Sequence, residues 1–254
     1  MAAARRLAAA GCGTPAADAK ALAEDLVASS GRASLTRFEE LVARRAEREP
    51  LAYLLGRQTF RGLELSVDAR VLVPRPHTEA LVEEGLTLAR GARVLDLCTG
   101  SGAVALALAR ERPDLRITGA DVSPSALDVA RENGERLGIR IDWIESDLLC
   151  GVPGPWDAVL ANVPYIAADA ETELAPELVV HEPKQAFRGG PDGLDLVRRL
   201  IAQAADVPWL ALEVGDEHAQ TAAALLSDAG FAEVAIRLDF TGVERVVVGA
   251  RRLG

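Results

Sequence analysis

From Gly91 onward, short apolar runs alternate with amphipathic stretches of helical period. Strands separated by helix-length segments pair in parallel, with the helices crossing over a sheet face, so this alternation leaves few architectures open. The apolar runs cover 93–98, 116–121, 141–147, 156–162 and 209–214. Helical stretches fall at 104–110, 124–137, 195–204 and 218–229, with Ser123-Pro124 as a helix start and Gly230 as a stop. Two late strands, 233–239 and 245–249, flank Thr241-Gly242 and read as a hairpin. Seven strands are therefore expected, most of them parallel. Residues 166–193 show no period and contain Pro176, Pro183, Gly189-Gly190 and Pro191. A loop of that length inside a compact domain is often functional.

The first part of the chain differs. Residues 1–56 read as wholly helical: Thr14-Pro15 opens a helix, and Thr36-Arg-Phe-Glu39 fits a capping box. In 57–76, Leu63, Leu65 and Val67 alternate with Glu64 and Ser66 around an Arg61-Gly62 turn, and Pro74 and Pro76 keep the end extended. Thr78 is expected to cap the next helix, and His77 reads as a solvated histidine at its start. This divides the chain into a helical bundle (1–56), a connector (57–76) and a main domain (77–254).

Chemistry concentrates where the strands end. Asp96-Leu-Cys98-Thr99-Gly100-Ser101-Gly102 follows the first parallel strand, where open α/β sheets bind ligands. Its glycines allow close backbone approach. A Gly-x-Gly pair is weak alone, but Asp96, Asp121 and Asp147 each end one of three successive strands and share a rim if the sheet is parallel. Such a set can face an amino group (Asp96), ribose hydroxyls (Asp121) and an adenine amino group (Asp147). S-adenosylmethionine carries all three, plus a cationic sulfonium. A dinucleotide would place its pyrophosphate against Asp96, which is repulsive.

A second site follows the strand at 158–161. In Asn162-Val163-Pro164-Tyr165 the Asn162 amide oxygen can accept from an NH2 group. Pro164 biases Val163 to an extended conformation and so aims its carbonyl. Tyr165 adds a flat wall and a hydroxyl. The clamp suits a planar amide or an amino-purine. Asn-x-Pro alone would read as a turn after a core strand; the upstream site gives it meaning.

The net charge of −10 opposes a phosphate-gripping nucleic-acid surface. Cys12, Cys98 and Cys150 are far apart, show no zinc spacing, and fit a reduced cytoplasmic setting. Cys150 reads as buried filler. No apolar run approaches a membrane span.

With both sites located, the chain resembles the HemK/PrmC family of protein-glutamine N5-methyltransferases. The resemblance runs through Leu51-Ala-Tyr-Leu-Leu-Gly56, Val73-Pro-Arg-Pro-His-Thr-Glu79, residues 96–102, Asn162-Val-Pro-Tyr165, Glu182-Pro183, Gly189-Gly-Pro-Asp-Gly-Leu-Asp195, Leu212-Glu-Val-Gly215 and Asp239-Phe-Thr-Gly-Val-Glu-Arg245. It implies a class I S-adenosylmethionine-dependent methyltransferase fold, Rossmann-like, with a small N-terminal helical domain that docks a protein partner. It implies that Cys98, Thr99, Gly100, Ser101 and Gly102 line the methionine and ribose part of the cofactor. Asp121 would hold the ribose, and Asp147 and Leu148 would flank the adenine. Asn162, Val163, Pro164 and Tyr165 would hold the substrate glutamine, whose known setting in the family is the Gly-Gly-Gln loop of peptide-chain release factors. The product would be S-adenosylhomocysteine and the enzyme a cytoplasmic monomer. Three positions depart from the family pattern: Val163 for proline, Cys98 for glycine and His77 for aspartate. The rival readings are an adenine-N6 nucleic acid methyltransferase, which shares the Asn-x-Pro-Tyr element, and a non-catalytic cofactor-binding module.

Overall fold

The computed structural model describes residues 1–30 and 34–252. Four helices open the chain: α1 (Ala2–Ala9), α2 (Pro15–Ser30), α3 (Leu35–Ala46) and α4 (Leu51–Leu55). They bury Leu7, Leu22, Leu26, Leu41 and Val42 in a core of their own. The expectation of unbroken helical character at 31–33 lies outside the described residues. The start of α3 differs from the Thr36 capping box: Ser34 is the cap, and its hydroxyl accepts from the Arg37 amide. Ser34 stands one residue before the helix with extended backbone, where a side-chain oxygen can reach the first free amides.

The hairpin β1 (Arg57–Phe60) and β2 (Leu63–Ser66) follows, turning at 61–62. Phe60, Leu63 and Leu65 pack into the core of the main domain, so the hairpin belongs to it physically. The extended segment after the hairpin contributes Val71 and Val73 to a small core with Ala52 and Val129, and the Tyr53 hydroxyl donates to the Val71 carbonyl.

The main domain comprises α5 (Glu79–Leu86), β3 (Arg93–Leu97), α6 (Ala103–Glu111), β4 (Arg116–Asp121), α7 (Pro124–Leu137), β5 (Asp142–Glu145), β6 (Ala158–Asn162), α8 (Asp195–Gln203), β7 (Trp209–Glu213), α9 (Ala219–Asp228), β8 (Glu233–Leu238) and β9 (Glu244–Ala250). The seven strands stand in the order β5-β4-β3-β6-β7-β9-β8. All neighbours are parallel except β9, which runs antiparallel to β7 and β8. Leu81, Val82, Val104 and Leu106 cover one face of the sheet. Val197, Leu200, Ala222 and Leu226 cover the other. The central strand β6 is buried through Ala158, Val159, Leu160 and Ala161, which is why its sequence is apolar without alternation.

Several expectations are corrected. β5 ends at Glu145, so Asp147 lies in the loop beyond the strand. Residues 166–193 contain short helical turns at Ala170–Glu173, Glu177–His181 and Lys184–Ala186, each too short to show a period. Cys150 is exposed, because it sits in the turn at 148–151 and not in an element packed on the core. Among the described residues no helix is long and apolar enough to cross a membrane.

The long loop is tied to the bundle by ions. Arg45 donates to Asp18 (2.7 Å) and to Glu177 (2.9 Å), and Arg48 donates to Glu177 (2.8 Å). Arg45 and Asp18 are both buried. Asp18→Ala removes one of the two carboxylates on Arg45 and leaves Glu177 as its partner. The substitution should therefore destabilise the protein by about 2 kcal/mol, the range of a hydrogen bond to a charged group, read as a lower urea midpoint.

Candidate functional site

The parallel register carries the ends of β3, β4, β6 and β7 to one rim. A cavity there is lined by Asp96, Cys98, Thr99, Gly100, Ser101, Asp121, Asp147 and Leu148, and by Asn162 and Pro164. Residues 70–75, with Pro183, Gln185 and Ala186, contribute to its wall. The loop after β3 turns sharply: Cys98 has φ 56°, Gly100 φ 54° and Gly102 φ 81°. Only glycine takes such angles without strain, so Cys98 holds a position that favours glycine. A Cβ at Gly100 would meet no atom within 4 Å, so that edge of the loop stands open. Gly102 plays another part. It does not line the cavity; a Cβ there would come within 2.9 Å of the Trp143 ring.

Two carboxylates brace this loop. Asp121 accepts from the Gly100 amide on one oxygen and from the Ser123 amide on the other, both at 2.9 Å. Burial raises its pKa against those two bonds. Asp96 is 1% exposed. Its Oδ2 accepts from the Thr99 hydroxyl at 2.6 Å and from the Ala105 amide at 3.1 Å. Burial dominates these bonds and pushes Asp96 up to about 7. Burial, with Asp121, Asp96 and Asp147 nearby, also pushes the Cys98 thiol up, so it stays protonated. Asp147 sits at the surface side of the cavity, where Arg199 donates to it at 2.6 Å. Leu148 is buried beside it, its carbonyl held by the Ser146 hydroxyl at 2.9 Å.

A second cavity lies beyond Asn162. Val163, Pro164 and Tyr165 line it, with Leu174, Leu178 and Phe187 from the long loop and with His77 and Glu213. Leu72, Arg75, Asn162, Pro164 and Ala186 line both cavities, so Asn162-Pro164 is the partition between them. Burial, followed by the charge of Glu213, pushes the Tyr165 hydroxyl up to about 12, and it remains a donor.

Residues with no role assigned from sequence stand behind the partition. Asn162 Nδ2 donates to the Thr78 hydroxyl at 3.3 Å, and that hydroxyl donates to Glu213 at 3.2 Å. Thr78 therefore makes no side-chain cap for α5, contrary to expectation. His77 lies 3.2 Å from the same Glu213 oxygen instead of standing free in solvent. Glu182 accepts from the Val73 amide at 2.9 Å and from Arg75, fastening the connector to the long loop. The sequence held one signal for Glu213: a carboxylate ending an apolar strand, as Asp121 does.

The chemistry of this rim suits an adenosyl sulfonium cofactor. Carboxylates favour a cation, Asp121 has acceptor capacity for hydroxyls, and the open edge at Gly100 permits backbone contact. Fold and site together define a class I S-adenosylmethionine-dependent methyltransferase. The methyltransferase small domain family matches residues 76–207, and the PrmC N-terminal domain family matches 1–56. The release factor glutamine methyltransferase of Mycolicibacterium smegmatis is 41% identical and covers 96% of this chain and 94% of its own. That of Deinococcus radiodurans is 40% identical, covering 98% and 95%. The chain belongs to the release factor glutamine methyltransferase (HemK/PrmC) family. Among solved structures, the hMettl16 catalytic domain superposes with a TM-score of 0.61 at 19% identity, over 92% of this chain and 91% of its own. A methyltransferase from Pyrococcus furiosus superposes with 0.58 at 18%, over 76% and 90%. At those identities the likeness speaks for the fold.

The raised pKa of Asp96 has a consequence for stability. A carboxyl with a folded pKa above its unfolded value binds its proton more tightly in the native state. Its stabilising contribution is complete below the ordinary carboxylate range and is lost as pH rises through about 7. Asp96→Asn cannot ionise, so the variant should lose less stability than the parent between about pH 5 and about pH 8 in urea titrations.

Proposed function

We propose that this chain transfers the methyl group of S-adenosylmethionine to the side-chain amide nitrogen, N5, of a glutamine, and that the glutamine lies in the Gly-Gly-Gln loop of a peptide-chain release factor. The observation that carries the reading is the meeting of two cavities at Asn162 and Pro164. The carboxylate-lined cavity suits the cationic cofactor. The other has apolar walls and a polar end, which suits an uncharged side chain reaching in from a partner. The names of the relatives supply the release factor.

S-adenosylmethionine, when bound, supplies an electrophilic methyl group on a sulfonium cation. On the protein side, Asp121 is assigned to the ribose hydroxyls and Asp96 to the amine. The edge of the loop formed by Cys98, Thr99, Gly100 and Ser101 is assigned to the methionine and ribose part, with Gly102 packed beneath it against Trp143. Asp147 and Leu148 flank the adenine, with Asp147 offering the oxygen that Arg199 leaves free. An amide nitrogen is a poor nucleophile because its lone pair is delocalised into the carbonyl. Asn162 Oδ1 and the Val163 carbonyl accept its two N–H bonds, which opposes that delocalisation and aims the nitrogen across the partition. Alignment of this kind is an orientation effect worth several kcal/mol. Pro164 stiffens the clamp, and Tyr165 provides the wall against the planar amide. No base is needed beforehand, since the methylated nitrogen is acidic and loses its proton afterwards.

The bundle at 1–56 docks the protein partner, and its ion pairs with Glu177 connect that docking surface to the wall of the second cavity. The enzyme works as a monomer in the cytoplasm. An adenine in nucleic acid would need a basic approach surface, and the charge of −10 opposes it.

Asn162→Ala removes the acceptor and leaves the carboxylate-lined cavity in place. Calorimetric affinity for S-adenosylmethionine should be retained while turnover on a purified release factor falls roughly a hundredfold. Normal methylation by this variant would refute the clamp.

A further inference from the structure

We propose that Glu213 is a positioning residue: acting through Thr78, it fixes which end of the Asn162 carboxamide faces the substrate. The inference rests on the reading that Asn162 accepts a hydrogen bond from the glutamine amide, and it names what holds Asn162 in the accepting orientation.

The placement is a product of strand register. Asn162 ends β6 and Glu213 ends β7, and the two are paired neighbours in the parallel ladder. Side chains at paired positions in parallel strands leave the same face. Thr78 enters between them from the turn before α5. The result is a continuous relay, Asn162 Nδ2 to Thr78 Oγ1 at 3.3 Å and Thr78 Oγ1 to Glu213 Oε1 at 3.2 Å.

The direction of this relay follows from the groups themselves. A carboxylate accepts and cannot donate. The Thr78 hydroxyl has a single proton, and Glu213 takes it. The Thr78 oxygen can then only accept from its other neighbour. Of the two ends of the Asn162 side chain, only the NH2 can donate, so it turns toward Thr78. That leaves Asn162 Oδ1 free to accept at the partition between the cavities. The acceptor is thus specified two bonds away, by a residue that need not touch the substrate.

The burial of Glu213 supports a functional reason for its presence. It is 0% exposed, and among the described residues its Oε2 has no hydrogen-bond partner. A carboxylate enclosed with one oxygen unpaired costs stability. Residues that break such a rule without local compensation are expected at functional sites. His77 contacts the same Oε1 that Thr78 uses, so it leaves Oε2 unmatched.

The test uses four full-length variants with a purified release factor and radiolabelled S-adenosylmethionine. Glu213→Gln preserves shape but lets residue 213 donate to Thr78. The hydroxyl can then turn around, and Asn162 can flip. We expect kcat to fall roughly a hundredfold, with KM for the release factor, cofactor affinity and melting temperature retained. Thr78→Val, isosteric without the hydroxyl, should lose kcat similarly, and Thr78→Ser should recover most of it. If Glu213→Gln fails to fold, the Thr78 pair decides alone. Wild-type kcat in Thr78→Val, or equal impairment of Thr78→Val and Thr78→Ser in step with their melting temperatures, would overturn the relay. Asn162→Ala separates the two layers. Its inactivity beside a fully active Thr78→Val removes only the relay, whereas its full activity removes the reading of Asn162 as the substrate's acceptor, and the relay with it.

Discussion

The parallel pairing of β3, β4, β6 and β7 is the constraint on which everything else rests. Hydrogen-bonded register fixes where each strand stops, and so brings Asp96, Asp121, Asn162 and Glu213 from far-apart segments to one rim. Each strand is apolar up to that rim because both sheet faces are covered by helices. A polar residue stands at the end of each run, or one place before it, where the sheet meets the rim. The same topology that buries the sheet therefore collects these polar groups.

Two electrostatic environments then lie side by side. On one side, the buried carboxyl of Asp96 and the half-buried one of Asp121 suit a cation, and the raised pKa of Asp96 records how poorly a negative charge is solvated there. On the other, the Asn162 partition, Tyr165 and the apolar side chains of the long loop suit an uncharged amide. Charge moves from sulfur toward nitrogen as a methyl group crosses such a boundary. A fixed array of acceptors oriented beforehand contributes more to that step than groups that must reorganise during it. The bundle joins this arrangement through Arg45 and Arg48, whose shared partner Glu177 belongs to the wall of the second cavity.

Local pattern was enough to read the sheet, its helices, the hairpin and the places of both polar loops, because apolar runs, prolines and glycines act over a few residues. What escaped notice depends on tertiary geometry. His77 and Thr78 looked like an ordinary helix start until folding set them beside Glu213 across 135 positions of chain. Ser34 in place of Thr36 is a competition between neighbouring hydroxyls that pattern alone does not rank. Gly102 belongs to the same motif as Gly100, yet one packs under Trp143 and the other edges the cavity. Asp147 kept its place at the rim although β5 stops two residues earlier, since the loop after it still follows the sheet edge.

The central claim is that the cofactor and the glutamine occupy adjoining cavities and meet at Asn162 and Pro164. A crystal structure with S-adenosylhomocysteine and a Gly-Gly-Gln peptide tests it most directly. The thioether should lie over the Gly100 loop, with the glutamine NH2 between Asn162 Oδ1 and the Val163 carbonyl and facing the sulfur. Adenosine density outside the Asp96–Asp121 cavity, or a glutamine side chain bound away from Asn162, would contradict it.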